Sequence, residues 1–594
     1  MSRRPTRREM IIGSAVALGT LAVAPAISGC AMVASSGRRR IRPSYDAVVI
    51  GTGFGGAVAA CRLAQAGLSV AVLERGRRYD HNPFPRNWNN PYDGWLWSSD
   101  QGLFDVKLCQ EMTVVQAAGL GGGSLVYANV QMRAPAAVFE HGWPGSYNRA
   151  ALDPYYDLVA YMLDINPITK TNLPTKSRVM EDAARTLGRS EQFCFPNIAV
   201  DFGPPGFEHL NKFGVTQRGC VSCGECCIGC NFHAKNTLDL NYLAIAGSRG
   251  ANIATLCEVS RIEPVANGYK VTFKDHAGDG QETDITARYC FVCAGAVNST
   301  ELLLRCRDVH GTLDKLSPRL GDDYSGNGDF LAFAFNTTEP FNPSEGPTIT
   351  TGVVYDRVDD GFKNWFIFEE GGYPREIRAL AQLLNPHFGL FRTLGIVTKD
   401  GLVNAYRAVG GQEGATSQAS DHTGIFLMMG RDLANGEIRL DPRTSKLKIK
   451  WDVPSNMALY EAQRRLTADF STAMGGNIAK NPLWSLFRIP VTVHSLGGCL
   501  MADNQDAGVT DANGEVYGYP GLFVLDGAIL PSATGVNPAH TIAAVAERNI
   551  EVAIRRFTGK QDWRAPEAAY ARPVTDSLGS LTIPPGGTLP TEAQ

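Results

Sequence analysis

The stretch VVIGTGFGGAVAACRLAQAGLSVAVLE, Val48 to Glu74, decides the fold. Its first apolar residues continue from Ala47 and read as a buried parallel strand. Gly51, Gly53 and Gly56 follow at G-x-G-x-x-G spacing, a helical pattern opens, and a second apolar strand, Val70 to Leu73, ends on Glu74. Each glycine answers a physical need: a tight turn, close approach of backbone to a pyrophosphate, and close packing of helix on strand. The helix N-terminus offers unpaired N–H groups and a positive dipole end to phosphate. Glu74, 23 positions after Gly51, is placed to accept a hydrogen bond from a ribose hydroxyl. A glycine-rich surface turn is the alternative. The strand on each side and the acid at this distance favour a dinucleotide site, with NAD and FAD both open.

Working outward, Thr113-Val114-Val115 reads as a strand that runs into a second glycine run, Gly119 to Ser124. Gly121, Gly122 and Gly123 would let backbone lie flat against a planar ligand, and Ser124 could donate to it. The 594 residues allow a large core and two to four domain-sized units. A net charge of −3 gives no basic field, so nucleic acid is excluded as an expected partner.

Fourteen cysteines are present, and five of them fall between Cys220 and Cys230. Cys61, Cys257, Cys290, Cys293 and Cys499 sit in apolar contexts and read as buried thiols. Cys220, Cys223, Cys226 and Cys230 make C-x2-C-x2-C-x3-C, the spacing of a bacterial ferredoxin run. In two-cluster ferredoxins the fourth cysteine of such a run serves the other cluster, and here there is one run with no proline after Cys230. An iron–sulfur cluster (3Fe–4S or 4Fe–4S) is the expected occupant, with three cysteine ligands, all four of the run, or a fourth ligand from Cys227 or elsewhere. Zinc, local disulfides and unliganded thiols are the alternatives. A cluster here would carry electrons out of a flavin to an acceptor other than oxygen.

Residues 1–40 read as a targeting segment. Arg3-Arg4 and Arg7-Arg8 precede an apolar run from Met10 to Ile27, as in a twin-arginine signal, and Ile27-Ser28-Gly29-Cys30 resembles a lipobox. The expectation is an exported protein, secreted or held at a membrane surface by a lipid or an N-terminal anchor.

The two glycine runs together resemble the glucose–methanol–choline oxidoreductase family of flavoenzymes, where a run like Ala118 to Val126 lies along the flavin. That resemblance implies FAD rather than NAD. Tyr127 departs from the family pattern, and the lack of a histidine beside the run implies FAD held non-covalently. Ala234 to Leu243 and Phe291 to Leu304 are similar to the sterol oxidase branch, the cholesterol oxidase-like relatives. By the same resemblance Val259 meets the adenine, Gly295 turns the chain back to the FAD domain, and Asp526 holds the ribityl or phosphate end.

Near the C-terminus, His494 stands just before Gly497-Gly498, and Asn537-Pro538 precedes a helical pattern. Both resemble the family's active-site pair. A helix N-terminus at Asn537 would also stabilise an anionic reduced ring. Glu370 is similar to the glutamate of a Phe-x-Glu segment that serves sterol oxidases as a base, with a surface acidic pair as the alternative. His540 reads as a second active-site histidine or a helix-turn residue. Arg375 to Ala419 holds an apolar segment that is either core or a lid over lipid.

The expected fold is α/β: a discontinuous Rossmann-type FAD domain and a β-sheet substrate domain. The expected order is a signal at 1–40, FAD domain at 45–320 with the cysteine loop at 218–232, substrate domain at 321–490, FAD domain again at 491–558, and a tail at 559–594. The implied reaction is oxidation of an alcohol, a 3β-hydroxysteroid by the closest branch, to the ketone, with double-bond isomerisation through Glu370. The electron acceptor is oxygen or a redox partner. A sugar or other alcohol dehydrogenase is the alternative.

Overall fold

The computed structural model describes residues 41–79, 83–86, 93–168, 173–278, 280–355, 364–375, 420–479, 484 and 489–579. The targeting segment and nearly all of the expected lid lie outside the described residues. Among the described residues no helix is long and apolar enough to cross a membrane.

The opening stretch folds as read. Strand Ser44–Ile50 lies between Val70–Leu73 and Glu282–Val292, parallel to both. Asn252–Ala254 extends the parallel set beyond Val70–Leu73. Val48, Val49, Val70, Val72 and Phe291 are at most 1% exposed, as expected where both faces of a parallel sheet are covered. The long strand Glu282–Val292 does two jobs. Its first half pairs antiparallel with Gly268–Asp275, and its last three residues pair parallel with Leu522–Val524. That last pairing returns the C-terminal quarter of the chain to the sheet on which it began.

Helix Phe54–Gln65 covers one face of this sheet and packs against helix Ala539–Thr558. Between them lies a buried ion pair. Arg62 Nη2 donates to Glu547 Oε1 at 2.6 Å, and Tyr242 Oη donates to the same oxygen at 2.8 Å. Burial alone would push the guanidinium pKa down; the Glu547 charge and hydrogen bond, together with neighbouring Cys61 and Tyr242, more than reverse it. Glu547→Ala leaves the buried cation with Glu567, at 2.5 Å from Nη1, as its remaining carboxylate partner, which should cost about 1–3 kcal/mol, read as a fall in the urea midpoint of the flavin-loaded protein.

A second sheet has six strands, all antiparallel, in the order Asn477–Ala479, Phe330–Phe335, Thr423–Gly430, Phe366–Glu370, Gly352–Tyr355 and Phe193–Cys194. Residues 40–594 form one compact unit that contains both sheets. Five of these strands come from 330–479, while the sixth comes from far upstream. The hairpin of Glu437–Leu440 and Leu447–Lys450 stands as a sheet of its own.

Candidate active site

One cavity of about 920 Å³ runs from the Gly51 turn, past the second glycine run, to His494 and Asn537. At its first end the backbone itself is the wall. Gly51 has φ +94°, and a Cβ there would stand 2.4 Å from Cys293 O, so only glycine makes this turn. Gly53 has open space where a Cβ would be, on the cavity side. The two glycine runs touch: a Cβ on Gly122 would stand 2.6 Å from Gly53 Cα. Thr52 stitches them together. Its Oγ1 donates to Glu74 Oε2 at 2.6 Å and accepts from Gly121 N at 3.0 Å. Burial raises the pKa of the Glu74 carboxyl, offset in part by donation from Thr52 and Gly76 N.

Val259 lies on the strand Cys257–Val265, next to a break in register, and lines the same end. Gly295, at φ +88°, opens helix Ala296–Leu304. Its N–H donates to Asp526 Oδ2 at 2.8 Å, and Ser299 Oγ donates to the same oxygen at 2.5 Å. Asp526 thus ties together the two parts of the chain that pair in the first sheet.

At the far end, His494 Nδ1 donates to Asp329 Oδ1 at 2.8 Å. The other carboxylate oxygen of Asp329 accepts from Val493 N at 2.9 Å and Thr492 Oγ1 at 3.0 Å. A carboxylate acceptor on Nδ1 fixes the ring and its tautomer, leaving Nε2 as the basic nitrogen on a residue that lines the cavity. Asn537 also lines it. Its Nδ2 donates to Glu369 Oε2 at 3.3 Å, while its buried Oδ1 has no hydrogen-bond partner. Helix Ala539–Thr558 begins immediately after, with Pro538 and Ala539 on the cavity wall.

Two family models, each described as GMC oxidoreductase, match residues 45–306 and 479–546, more than half of the chain. The chain belongs to the GMC oxidoreductase family. It is an FAD-dependent oxidoreductase acting on CH–OH donors. It is 29% identical over 578 residues to a cholesterol oxidase of Mycobacterium tuberculosis, covering 89% of this chain and 94% of that protein. It is 26% identical to the long-chain-alcohol oxidase FAO4B of Arabidopsis thaliana, covering 92% and 72%. Formate oxidase of Aspergillus oryzae RIB40 shares the fold at a TM-score of 0.59 and 13% identity, covering 87% of this chain and 99% of that one.

The residues of this GMC oxidoreductase fit FAD. Glycine backbone and the Glu74 carboxyl line one end of the cavity, groups of the kind that would hold a pyrophosphate and a ribose, and an unpartnered Asn537 Oδ1 and a helix start line the other end. Gly51, Gly53, Glu74, Gly122, Gly123, Val259, Gly295, His494, Asp526 and Asn537 all line the one cavity, so the structure brings most of the sequence-expected residues together. Gly56 serves packing, since a Cβ there would stand 2.1 Å from Gly51 O.

Two expectations are corrected, for Ser124 and Glu370, and of the two readings of His540 the helix residue is the one that fits. Ser124 does not reach the cavity: its hydroxyl donates to Gly121 O at 2.7 Å and accepts from Leu238 N at 3.1 Å, so it and Gly121 build the turn beneath the wall. Glu370 is not placed as a base. Its Oε1 accepts from Thr350 N at 2.8 Å and from Thr350 Oγ1, and its Oε2 accepts from Thr351 N at 2.8 Å and from Thr351 Oγ1. The carboxyl beside Asn537 belongs to its neighbour Glu369, whose buried Oε1 has no partner and whose pKa burial pushes well above the ordinary range. His540 is a packing residue: Nε2 bonds Tyr156 O at 2.9 Å, and burial pushes its pKa down to about 4.

Cys61, Cys257, Cys290, Cys293 and Cys499 are buried thiols, as read. Cys220, Cys223, Cys226, Cys227 and Cys230 stand as free, partly buried thiols. Among the described residues, no three His, Cys, Asp or Glu side chains are grouped as ligands of a metal ion.

Asp329, Glu369 and Thr52 are the residues that sequence reasoning missed. Thr52 occupies a variable position inside the glycine motif, and Asp329 lies 165 positions from its histidine.

Proposed function

We propose that this protein oxidises a hydrophobic secondary alcohol, a 3β-hydroxysteroid such as cholesterol, to the ketone. The observation that carries this reading is the wall around His494 and Asn537. Leu331, Ile349, Ile425, Leu427 and Val493 line the same cavity, so these polar groups share it with an apolar surface. A sterol has that distribution, one hydroxyl on a rigid apolar skeleton, whereas a sugar needs polar partners along its length. The likeness to a cholesterol oxidase supports the same class.

When bound, FAD supplies the hydride acceptor. His494 Nε2 accepts the proton of the substrate hydroxyl, and Asp329 stabilises the resulting imidazolium while holding the ring in place. Asn537 anchors the reacting end through the half of its amide that faces the cavity. Glu369, rather than Glu370, is the carboxyl that works beside it. Isomerisation through Glu370 drops out of the reading, because both of its oxygens are committed to Thr350 and Thr351.

Cholesterol mixed with the purified flavoprotein without oxygen should bleach the flavin, while glucose and sorbitol should not. Bleaching by polyols alone would reject the steroid class. Asp329→Asn removes the acceptor that sets the His494 tautomer and should lower turnover by about 100-fold or more with flavin content unchanged. A turnover within a few-fold of the parent would remove Asp329 from this role.

A second reading, a dehydrogenase that hands electrons to an acceptor other than oxygen, is favoured by the placement of the cysteine loop. Residues 1–40 we read as an export segment that delivers the enzyme to the membrane surface, where such a substrate is found.

A further inference from the structure

We propose that Cys220, Cys223, Cys226 and Cys230 ligate an iron–sulfur cluster that takes electrons from the flavin site. The electron route rests on the flavin reading above; the cluster site stands on its own residues.

All four thiols line one small cavity, walled also by Val200 and Phe232. Cys227 turns the other way and lines the large cavity instead. Adjacent residues therefore face two cavities, and one thickness of chain separates them. Arg86 holds the loop in shape, pairing with Glu225 at 2.7 Å and donating to Gly229 O at 2.7 Å.

A second observation points to an anion at this place. Lys235 lines the small cavity and is 1% exposed. Its Nζ donates to three carbonyls, Cys226 O at 2.7 Å, Leu125 O at 2.8 Å and Tyr127 O at 3.2 Å. No carboxylate among the described residues stands within ion-pair distance of it, and these three acceptors are all neutral backbone carbonyls. A buried ammonium costs several kcal/mol without a counter-charge. A thiolate-ligated cluster supplies one. The acceptors of Lys235 lie on the cysteine loop on one side and on the segment that follows the second glycine run on the other, so this cation joins the two cavities.

The electron count closes. Each alcohol gives up two electrons, one hydride to the flavin and one proton to His494. The cluster passes those electrons singly to two molecules of a one-electron acceptor protein, and the protons leave to water.

The test uses the full chain purified under argon. About three or four iron and four acid-labile sulfide atoms per chain are expected, with an electron paramagnetic resonance signal after dithionite reduction or on oxidation. Cys223→Ser should lose the iron and keep its flavin. Cholesterol added anaerobically should bleach the flavin of both proteins and change the cluster signal of the parent alone. Lys235→Met should lower the midpoint potential of the cluster, because a nearby positive charge favours the reduced form. A flavin-loaded chain that takes up no iron after reconstitution with ferrous iron and sulfide, or that holds one zinc, overturns the cluster. A cluster whose signal ignores a bleached flavin overturns the electron route. Intact cluster chemistry beside a flavin that no alcohol bleaches rejects the function above and leaves the cluster standing.

Discussion

Replacing His494 with alanine should lower the rate of alcohol oxidation by about 10²–10⁴-fold, the range a positioned general base contributes. The fold should survive the change. The side chain makes one hydrogen bond, to Asp329 at 2.8 Å, and otherwise borders the cavity. Flavin content should therefore match the parent, because the groups that fit the ADP end, Gly51, Gly53 and Glu74, lie at the other end of the same cavity. The decisive measurement is the rate of anaerobic flavin bleaching by a saturating alcohol in a variant shown to carry full flavin. Loss of bleaching with flavin retained assigns His494 to the chemical step. Bleaching at the parental rate removes it, and a weaker apparent affinity with an unchanged limiting rate would make it a binding residue only.

The sequence is most legible where backbone geometry dictates residue type. Gly51 at φ +94° against Cys293 O, and the strands on either side of it, follow from spacing and apolar runs alone. His494 and Asn537 were legible through resemblance, and the structure places both on one cavity with the glycine turn. What was not legible is pairing across long separations. Asp329 gives no local sign that it will meet His494, and Arg62 gives none that its counter-charges are Glu547 and Glu567, 485 and 505 positions away. Ser124 shows a different failure. A hydroxyl beside a glycine run is equally able to satisfy the run's own backbone, and here it does. The cysteine spacing stated a chemistry, but only the fold shows that Cys226 and Cys227 look into different cavities.

Exchanging the two neighbouring glutamates one at a time should separate stability from activity. Strand Phe366–Glu370 is buried along its whole length, so its alternation sends adjacent side chains to opposite faces without hydrophobicity showing which face holds the site. Glu369 faces Asn537, and Glu370 faces Thr350 and Thr351 with the charge of buried Lys176 close by. Glu370→Gln replaces an acceptor of four donors with a group that has one acceptor oxygen, and removes a carboxylate that favours the charged form of buried Lys176. The expected cost is about 3–5 kcal/mol, with the folded fraction still bleached by substrate. Glu369→Gln keeps an acceptor for Asn537 Nδ2 but can no longer exchange a proton, so turnover should fall by about 100-fold with flavin retained.

The stability of the Glu369 variant should move the other way, and with a defined pH dependence. Burial holds the Glu369 carboxyl pKa well above its ordinary value, so the folded chain keeps a proton there that the unfolded chain loses above about pH 4.3. Stability therefore falls as pH rises from that point until the folded pKa is passed. Glutamine does not titrate and removes this loss. Against the parent, Glu369→Gln should melt at a similar temperature near pH 4 and at a higher one at pH 7. A melting difference that is the same at both pH values would mean that Glu369 is ionised in the folded protein. A bleaching defect in Glu370→Gln that is absent from Glu369→Gln would return the site carboxyl to position 370.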